Sequence, residues 1–549
     1  MDVQPVLVGG AWRAPLELTG SFRAFDPASG EAIGPAFPRS GAADVEAALA
    51  AASAAAPELV ATDPARVAAF LDTYATAIED DAATLVALAH AETALPAKPR
   101  LADVELPRTT RQLRLAAAAA RDYAWTQPTI DTTAGLRAHF APLGKPVAVF
   151  GPNNFPLAFN AVAGSDFASA IAARAPVIAK AHPAHPATCE RLARLAQRAL
   201  ETCGLPPASV QMLYGYDRAL GLRLAGDTRL GALGFTGSRA GGMALKRAAD
   251  TAGVPAYLEM SSINPVFLLP GALAERGETL AREFFASCTA GSGQFCTNPG
   301  LLVVPQGTAG DAFVNAAMAE FRAAPPGVLF ARGVQDSLVQ AIETLQGWGA
   351  SCLVGGSSTG PGFRFRPTLL QVGARAFLKH PEGLQHEAFG PVSLIVRVAN
   401  EAEMLAIVAA LEGNLTGTLY AATDGRDDAL RAQLCRVLRP RVGRLIGDRM
   451  PTGVAVSAAM QHGGPWPSTS HPGFSAVGMP GAIRRFAAWH CYDHLPDALL
   501  PPELRARNPG GVARLVDGTG ARTTSPVRRH ERAPDRRQHA GGRPRPVRA

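Results

Sequence analysis

The chain has 549 residues, 47% hydrophobic and 18% charged, which excludes a disordered protein and points to two or three domains. Its net charge of +7 sits in the tail: from Arg522 to Ala549 nine arginines face Glu531 and Asp535, so the rest sums to zero and no nucleic-acid partner is expected. Seven cysteines without a CxxC pair argue against a disulfide framework and a zinc knuckle, and no metal is expected.

The opening, MDVQPVLVGG, lacks the basic and apolar regions of a signal peptide. No stretch approaches the roughly 18–20 apolar residues of a membrane span, so a cytoplasmic protein with no membrane partner is expected. An extended segment over 6–25 leads into a turn at 26–30, and Ala-rich amphipathic helices are expected around 42–56, 64–90 and 108–122. From Val147 the pattern changes. Short apolar strands are expected at 147–150, 177–180, 210–213, 230–235 and 256–260. Helices lie between them, one over 166–174 behind Ser165 as N-cap, another over 188–202 closed by Gly204. Strand and helix alternating at this spacing predict an α/β fold with a parallel sheet covered on both faces. A second α/β region runs over 264–467, with strands at 266–269, 301–304 and 392–396 and helices at 278–288, 309–323 and 335–348. Residues 518–549 are rich in Arg, Pro and Gly with almost no large apolar side chain, and are read as a disordered basic tail. No internal repeat is evident.

In open parallel sheets ligands sit beyond the carboxyl ends of the strands. Asn153 and Asn154 follow the first expected strand, Lys180 ends the second, Gly237 and Ser238 follow the fourth, and Glu259 lies near the end of the fifth. Singly, each has a plain reading as a turn former, a solvated end or a surface charge. The turn FTGSRAGG (235–242) opens a helix whose N–H groups suit a phosphate, although it departs from GxGxxG and is a weak signal alone. The segment TAGSGQFCTNPG (289–300) places Cys296 after a glycine-spaced loop. A lone cysteine is usually a small buried hydrophobe, and the other six are read that way.

Seven motifs fall in order: GPNNFPLAF (151–159), PVIAKAHPAHP (176–186), FTGSRAGG (235–242), LEMSSINPVF (258–267), GQFCTNPG (293–300), HEAFGPV (386–392) and HGGPWPSTS (462–470). With them the chain resembles the aldehyde dehydrogenase superfamily up to about residue 517. KAHPAHP, INPVFLLPGAL and GQFCTNPG look like the α-ketoglutaric semialdehyde (2,5-dioxovalerate) dehydrogenases and NADP-linked aldehyde-oxidising relatives.

The resemblance implies a Rossmann-like cofactor domain (1–126 and 144–262), an α/β catalytic domain (263–467) and oligomerisation elements (127–143 and 478–497). It implies NADP- or NAD-dependent oxidation of a small aldehyde in a homo-oligomer of at least two subunits. Cys296 matches the nucleophile and Asn154 the oxyanion donor, acting with the Cys296 backbone N–H. Glu259 matches the general base, with partial burial expected to raise its pKa. Lys180 matches the ribose contact, Phe235, Gly237, Ser238 and Gly242 the pyrophosphate turn, and Glu387 the nicotinamide-ribose contact. NAD-preferring relatives carry Glu three residues after that lysine. Pro183 stands there, which implies that NADP is accepted, with Arg218 or Arg223 near its phosphate. Two departures from the family pattern are Ser261-Ser262 after Met260 and Asp448-Arg449-Met450 where relatives carry an Asn and an aromatic. Rival readings are a CoA-acylating or a medium- or long-chain aldehyde dehydrogenase, and a non-catalytic member. Glu259 speaks against the acylating enzyme, and the retention of Cys296, Asn154 and Glu259 together speaks against the non-catalytic member.

Overall fold

The Ala-rich N-terminal part forms helices Ala42–Ala61, Pro64–Asp80, Ala82–Thr93 and Leu106–Arg121 in a computed structural model that describes residues 3–508 and 510–521. The single helix expected over 64–90 is two. Asp81 leaves helical geometry between them, and Arg191 binds its carboxylate through Nε and Nη2. Proline at N1 starts the first of the pair, where Asp63 accepts from the Ala65 N–H.

Contact density divides the chain into two units, Met1–Arg121 with Pro142–Phe486, and Asp122–Ala141 with the residues from Ala487 onward. The larger unit holds two seven-stranded sheets. In the first, five parallel strands lie in the spatial order Ala256–Glu259, Ala232–Thr236, Val147–Phe150, Val177–Lys180, Val210–Leu213, and a hairpin (Val6–Val8, Ala11–Arg13) closes the far edge. The chain builds outward from Val147 in one direction, then returns to place Ala232–Thr236 on its other side. That reversal leaves a crevice between the ends of those two strands.

The second sheet runs Ser351–Val354, Thr368–Gly373, Val392–Val398, Leu301–Pro305, Val266–Leu268, Asn414–Tyr420, Val442–Gly447, parallel apart from its first strand. Successive residues enter different cores: Phe267, Val303 and Leu394 one, Val266, Leu302 and Ile395 the other. Burial on both faces explains the near-continuous apolar runs.

In the smaller unit, Thr129–Asp131, Leu136–Pro142, Ala487–Asp493, Arg514–Val516 and Thr519–Ala521 form one five-stranded sheet. The first residues of the stretch expected to be a disordered tail are therefore ordered. Thr519–Ala521 pairs with Arg514–Val516, which lies parallel to Thr129–Asp131, so backbone pairing orders a stretch poor in apolar side chains. The rest of that tail, 522–549, lies outside the described residues. Among the described residues no single helix is long and apolar enough to cross a membrane.

Candidate active site

The loop bearing Cys296 is held by backbone geometry and side-chain ties. Gly291, Ser292 and Gly293 take successive left-handed conformations (φ 54°, 56° and 69°). At Gly293 a Cβ would fall 2.1 Å from the Gly390 carbonyl oxygen, so the loop passes where only glycine fits. Buried Asn264 donates from Nδ2 to the carbonyls of Cys296 (2.8 Å) and Asn298 (2.9 Å). Its Oδ1 accepts from Ser262 Oγ and Thr416 Oγ1, both at 3.0 Å. Gln294 accepts from the Phe330 N–H at 2.9 Å.

Three side chains converge at this loop. Glu259 ends its strand at 5% exposure, and the segment after His462 pairs along that strand end, with the Met260 N–H donating to the Ser468 carbonyl at 2.8 Å. That pairing brings His462 Nε2 to 2.9 Å from Glu259 Oε1 and 3.5 Å from Cys296 Sγ. Burial pushes the Cys296 thiol well above its ordinary pKa, and the neighbouring Glu259 carboxylate pushes it further. Burial alone would raise the Glu259 pKa, as expected from sequence. His462 outweighs it, with help from Cys296 and Arg485, and the carboxyl lies below its ordinary value. In the sequence His462 stands inside a motif, and its contact with Cys296 spans 166 residues that no local pattern connects.

Asn154, also 5% exposed, donates from Nδ2 to the Gln294 carbonyl at 3.0 Å, two residues before Cys296. A cavity of about 580 Å³ opens from here, lined by Asn154, Cys296, Glu259, Lys180, Phe235, Gly237, Ser238 and Glu387 among others. Eight of the nine sequence-selected residues thus meet in one space. Gly242 is the exception: it packs under the turn, where a Cβ would lie 2.9 Å from the Met260 side chain. Ser238 caps the Arg239–Thr251 helix by accepting from the Gly241 N–H at 3.2 Å. Burial lowers the Lys180 pKa to about 8 and raises that of Glu387 to about 7, the latter opposed by hydrogen bonds from Ser261 and the Ser262 backbone.

The cavity fits a dinucleotide in its donor set. The first turn of the Arg239–Thr251 helix carries no acidic side chain, and Lys180 supplies a cation at the end of a strand two places along the sheet. Arg218 and Arg223 do not line this cavity: Arg223 borders a separate one with Glu17 and Asp217. Of the departures from the family pattern, Ser261 and Ser262 line the cavity, and Ser261 bonds Glu387 there. Ser262 joins the Asn264 network, and Asp448 accepts from the Ala421 N–H at 2.9 Å while pairing with Arg276 and Arg431.

Residues 12–450 match the model of the aldehyde dehydrogenase family. The chain is 42% identical over 523 residues to α-ketoglutaric semialdehyde dehydrogenase 2 of Azospirillum brasilense, covering 91% of this chain and 96% of that protein. It is 39% identical to an α-ketoglutaric semialdehyde dehydrogenase of Acinetobacter baylyi, covering 82% and 86%. Among solved structures it resembles lactaldehyde dehydrogenase from Escherichia coli (TM-score 0.75, 21% identity, covering 89% and 98%). It also resembles a mutant of aldehyde dehydrogenase C from Pseudomonas syringae complexed with NAD+ and octanal (TM-score 0.77, 20% identity, covering 90% and 97%). These structures share its fold.

Proposed function

The chain belongs to the aldehyde dehydrogenase family and is an NAD(P)-dependent oxidoreductase that turns an aldehyde into an acid; from that premise we propose how it works and on what. The substrate is α-ketoglutaric semialdehyde and the product α-ketoglutarate, a reading supported by 42% and 39% identity to enzymes of that name. The observation that carries the mechanism is the contact of Glu259, His462 and Cys296 at the inner end of the cavity.

Cys296 Sγ attacks the aldehyde carbon, and the thiol proton passes to the adjacent Glu259–His462 pair, since a thiolate and a carboxylate buried side by side disfavour each other. The oxyanion of the thiohemiacetal is met by the Asn154 amide and the Cys296 N–H. A donor of this kind is worth about 3–4 kcal/mol. Lys180, the 237–241 turn and Glu387 would hold a nicotinamide dinucleotide, which would supply the hydride acceptor for oxidation of the thiohemiacetal to a thioester. Glu259 then takes a proton from water, the hydroxide adds to the thioester, and the carbon–sulfur bond breaks to return Cys296 and release the acid. His462 keeps Glu259 ionised for that step.

The protein works in the cytoplasm, consistent with seven free cysteines, as a homo-oligomer assembled through its 127–143 and 478–497 segments. The test is a panel of semialdehydes and neutral aldehydes with each cofactor, with and without CoA, followed by absorbance of the reduced nicotinamide. Turnover that requires CoA would replace hydrolysis with acyl transfer, and a best substrate without a carboxylate would reject the semialdehyde.

A further inference from the structure

We propose that Arg108 selects aldehydes carrying a carboxylate at the far end by receiving that carboxylate on its Nε–Nη2 edge. The inference rests on the semialdehyde reading above and names the residue that enforces it.

Arg108 stands near the start of the Leu106–Arg121 helix, its guanidinium 4.9 Å from the Phe159 ring centre and 5.4 Å from that of Phe155. Both rings border the thiol's surroundings. Phe159 lies 6.0 Å from the His462 ring, which contacts Cys296, and Phe155 meets Phe295, the residue before Cys296, edge-on at 5.5 Å. None of the three phenylalanines lines the cofactor cavity, which Cys296 does. They form an apolar cluster with Val456 and Val477 beside the nucleophile.

Within that cluster Arg108 Nε and Nη2 are buried without a hydrogen-bond partner, and among the described residues it is the arginine for which both atoms of that edge are so placed. This edge is the one that elsewhere in the molecule holds carboxylates: Arg191 uses it on Asp81, and Arg194 on Glu190 at 2.8 and 2.6 Å. The nearby cation is already matched. Arg100 pairs with Glu105 and donates to the Asn154 carbonyl at 3.2 Å, while Glu105 also accepts from the Leu157 and Ala158 N–H groups. Among the described residues Arg108 makes no ion pair. Burial lowers its proton affinity, and Glu105, Cys296 and Glu259 raise it, so it remains a cation facing the reaction centre. A desolvated cation without a partner is costly, and an anionic ligand group arriving at that edge removes the cost. An ω-oxo acid brings such a group while its aldehyde end meets Cys296.

The test compares 2,5-dioxopentanoate with pentanal, equal in carbon count and differing in the carboxylate and its adjoining oxo group, in the full-length enzyme and in Arg108→Gln. The expected result is a fall of about 100-fold in the ratio of kcat/KM for the oxo acid over pentanal. Competitive inhibition of pentanal oxidation by glutarate should weaken at least ~30-fold in the same variant. Equal losses on both substrates would mark Arg108 as structural and overturn the proposal, as would an unaltered ratio. If wild-type enzyme shows no preference for the oxo acid, the semialdehyde reading fails, and glutarate alone decides Arg108: equal inhibition of both proteins overturns it. Should Arg108→Gln not fold, Arg108→Lys keeps the charge but lacks the two-pronged edge. A drop of at least ~10-fold in selectivity is then expected, and full selectivity with lysine refutes the role.

Discussion

His462 Nε2 lies 2.9 Å from Glu259 Oε1, and the same nitrogen is 3.5 Å from Cys296 Sγ. The imidazole, 3% exposed, therefore touches both the carboxylate proposed as base and the thiol proposed as nucleophile, and it offsets the burial that would otherwise raise the Glu259 pKa. Replacing it with a neutral side chain of similar bulk, His462→Gln, leaves that burial opposed only by the weaker effects of Cys296 and Arg485. The Glu259 pKa then rises, and the base is lost at a higher pH than in the wild type. The acidic limb of the kcat profile should move to higher pH by about one unit or more, with kcat at pH 7 down about 10- to 100-fold. A limb at the wild-type position would separate His462 from the base.

Cys296→Ala should abolish aldehyde oxidation, by more than about 1,000-fold, while cofactor binding measured by nicotinamide fluorescence survives. Glu259→Gln should separate the two half-reactions. Acylation precedes the step that needs the water-activating base, so rapid mixing should show a burst of reduced cofactor near one per site, then a stall. An undiminished steady state would require another base.

Asn264 is fully buried and donates to the carbonyls of Cys296 and Asn298 from one amide nitrogen. Asn264→Ala removes both donated bonds and strands the Thr416 hydroxyl, while Ser262 keeps its bond to Asn414. Each unsatisfied buried group costs about 1–3 kcal/mol, so both a lower melting temperature and a kcat reduced at least ~10-fold are expected. A stable variant with full kcat would show that the loop holds its shape without this tie.

These ties also mark what sequence could and could not reveal. The strand ends carrying Asn154, Lys180, Ser238 and Glu259 were legible because short apolar runs alternate with helices, and a parallel sheet puts such ends in one place. The second sheet was harder to read. In Asn414–Tyr420 the polar Asn414 and Thr416 hide the strand, and they are polar because they face the Ser262–Asn264 network. His462 and Asn264 stood inside recognised motifs, yet their partners lie 166 and 32 residues away, and no local pattern encodes such contacts. The tail boundary differs for a related reason: pairing to Arg514–Val516 orders Thr519–Ala521, a strand that its own side chains do not favour.

Glu387 sits in the cavity with its pKa raised to about 7, chiefly by burial. Between the ordinary carboxylate pKa of 4.5 and about 7 the folded protein holds a proton that the unfolded chain has released. Stability is therefore lost as pH rises through that window. Glu387→Gln removes the penalty, so it should melt at a higher temperature than wild type at pH 8 and at nearly the same temperature at pH 4.5. The same variant should raise the KM for cofactor, since an amide accepts the ribose hydroxyls less strongly. An equal melting difference at both pH values would exclude the carboxylate's titration as the cause.

Cofactor choice follows from charges near Lys180. A carboxylate three residues after it would repel a 2′-phosphate, and Pro183 supplies none, so NADP should be accepted alongside NAD. The arginines that sequence put forward, Arg218 and Arg223, stay outside the cavity. Arg39 does not line the cavity either, but its backbone bridges to Gly215 just beyond the neighbouring strand and its charge helps burial lower the Lys180 pKa, which makes it the arginine to test. Two cations that disfavour each other are both relieved by a phosphate between them. Arg39→Ala should therefore lower kcat/KM for NADP about tenfold more than for NAD, whereas Arg218→Ala and Arg223→Ala leave the ratio as it was. Pro183→Glu should shift the ratio at least ~10-fold toward NAD. Because Lys180 is a cation only below about pH 8, the KM for NADP should climb above that pH more steeply than the KM for NAD. A wild-type preference for NAD of about a hundredfold would refute the whole reading, and an unchanged ratio in Arg39→Ala would remove Arg39 from it.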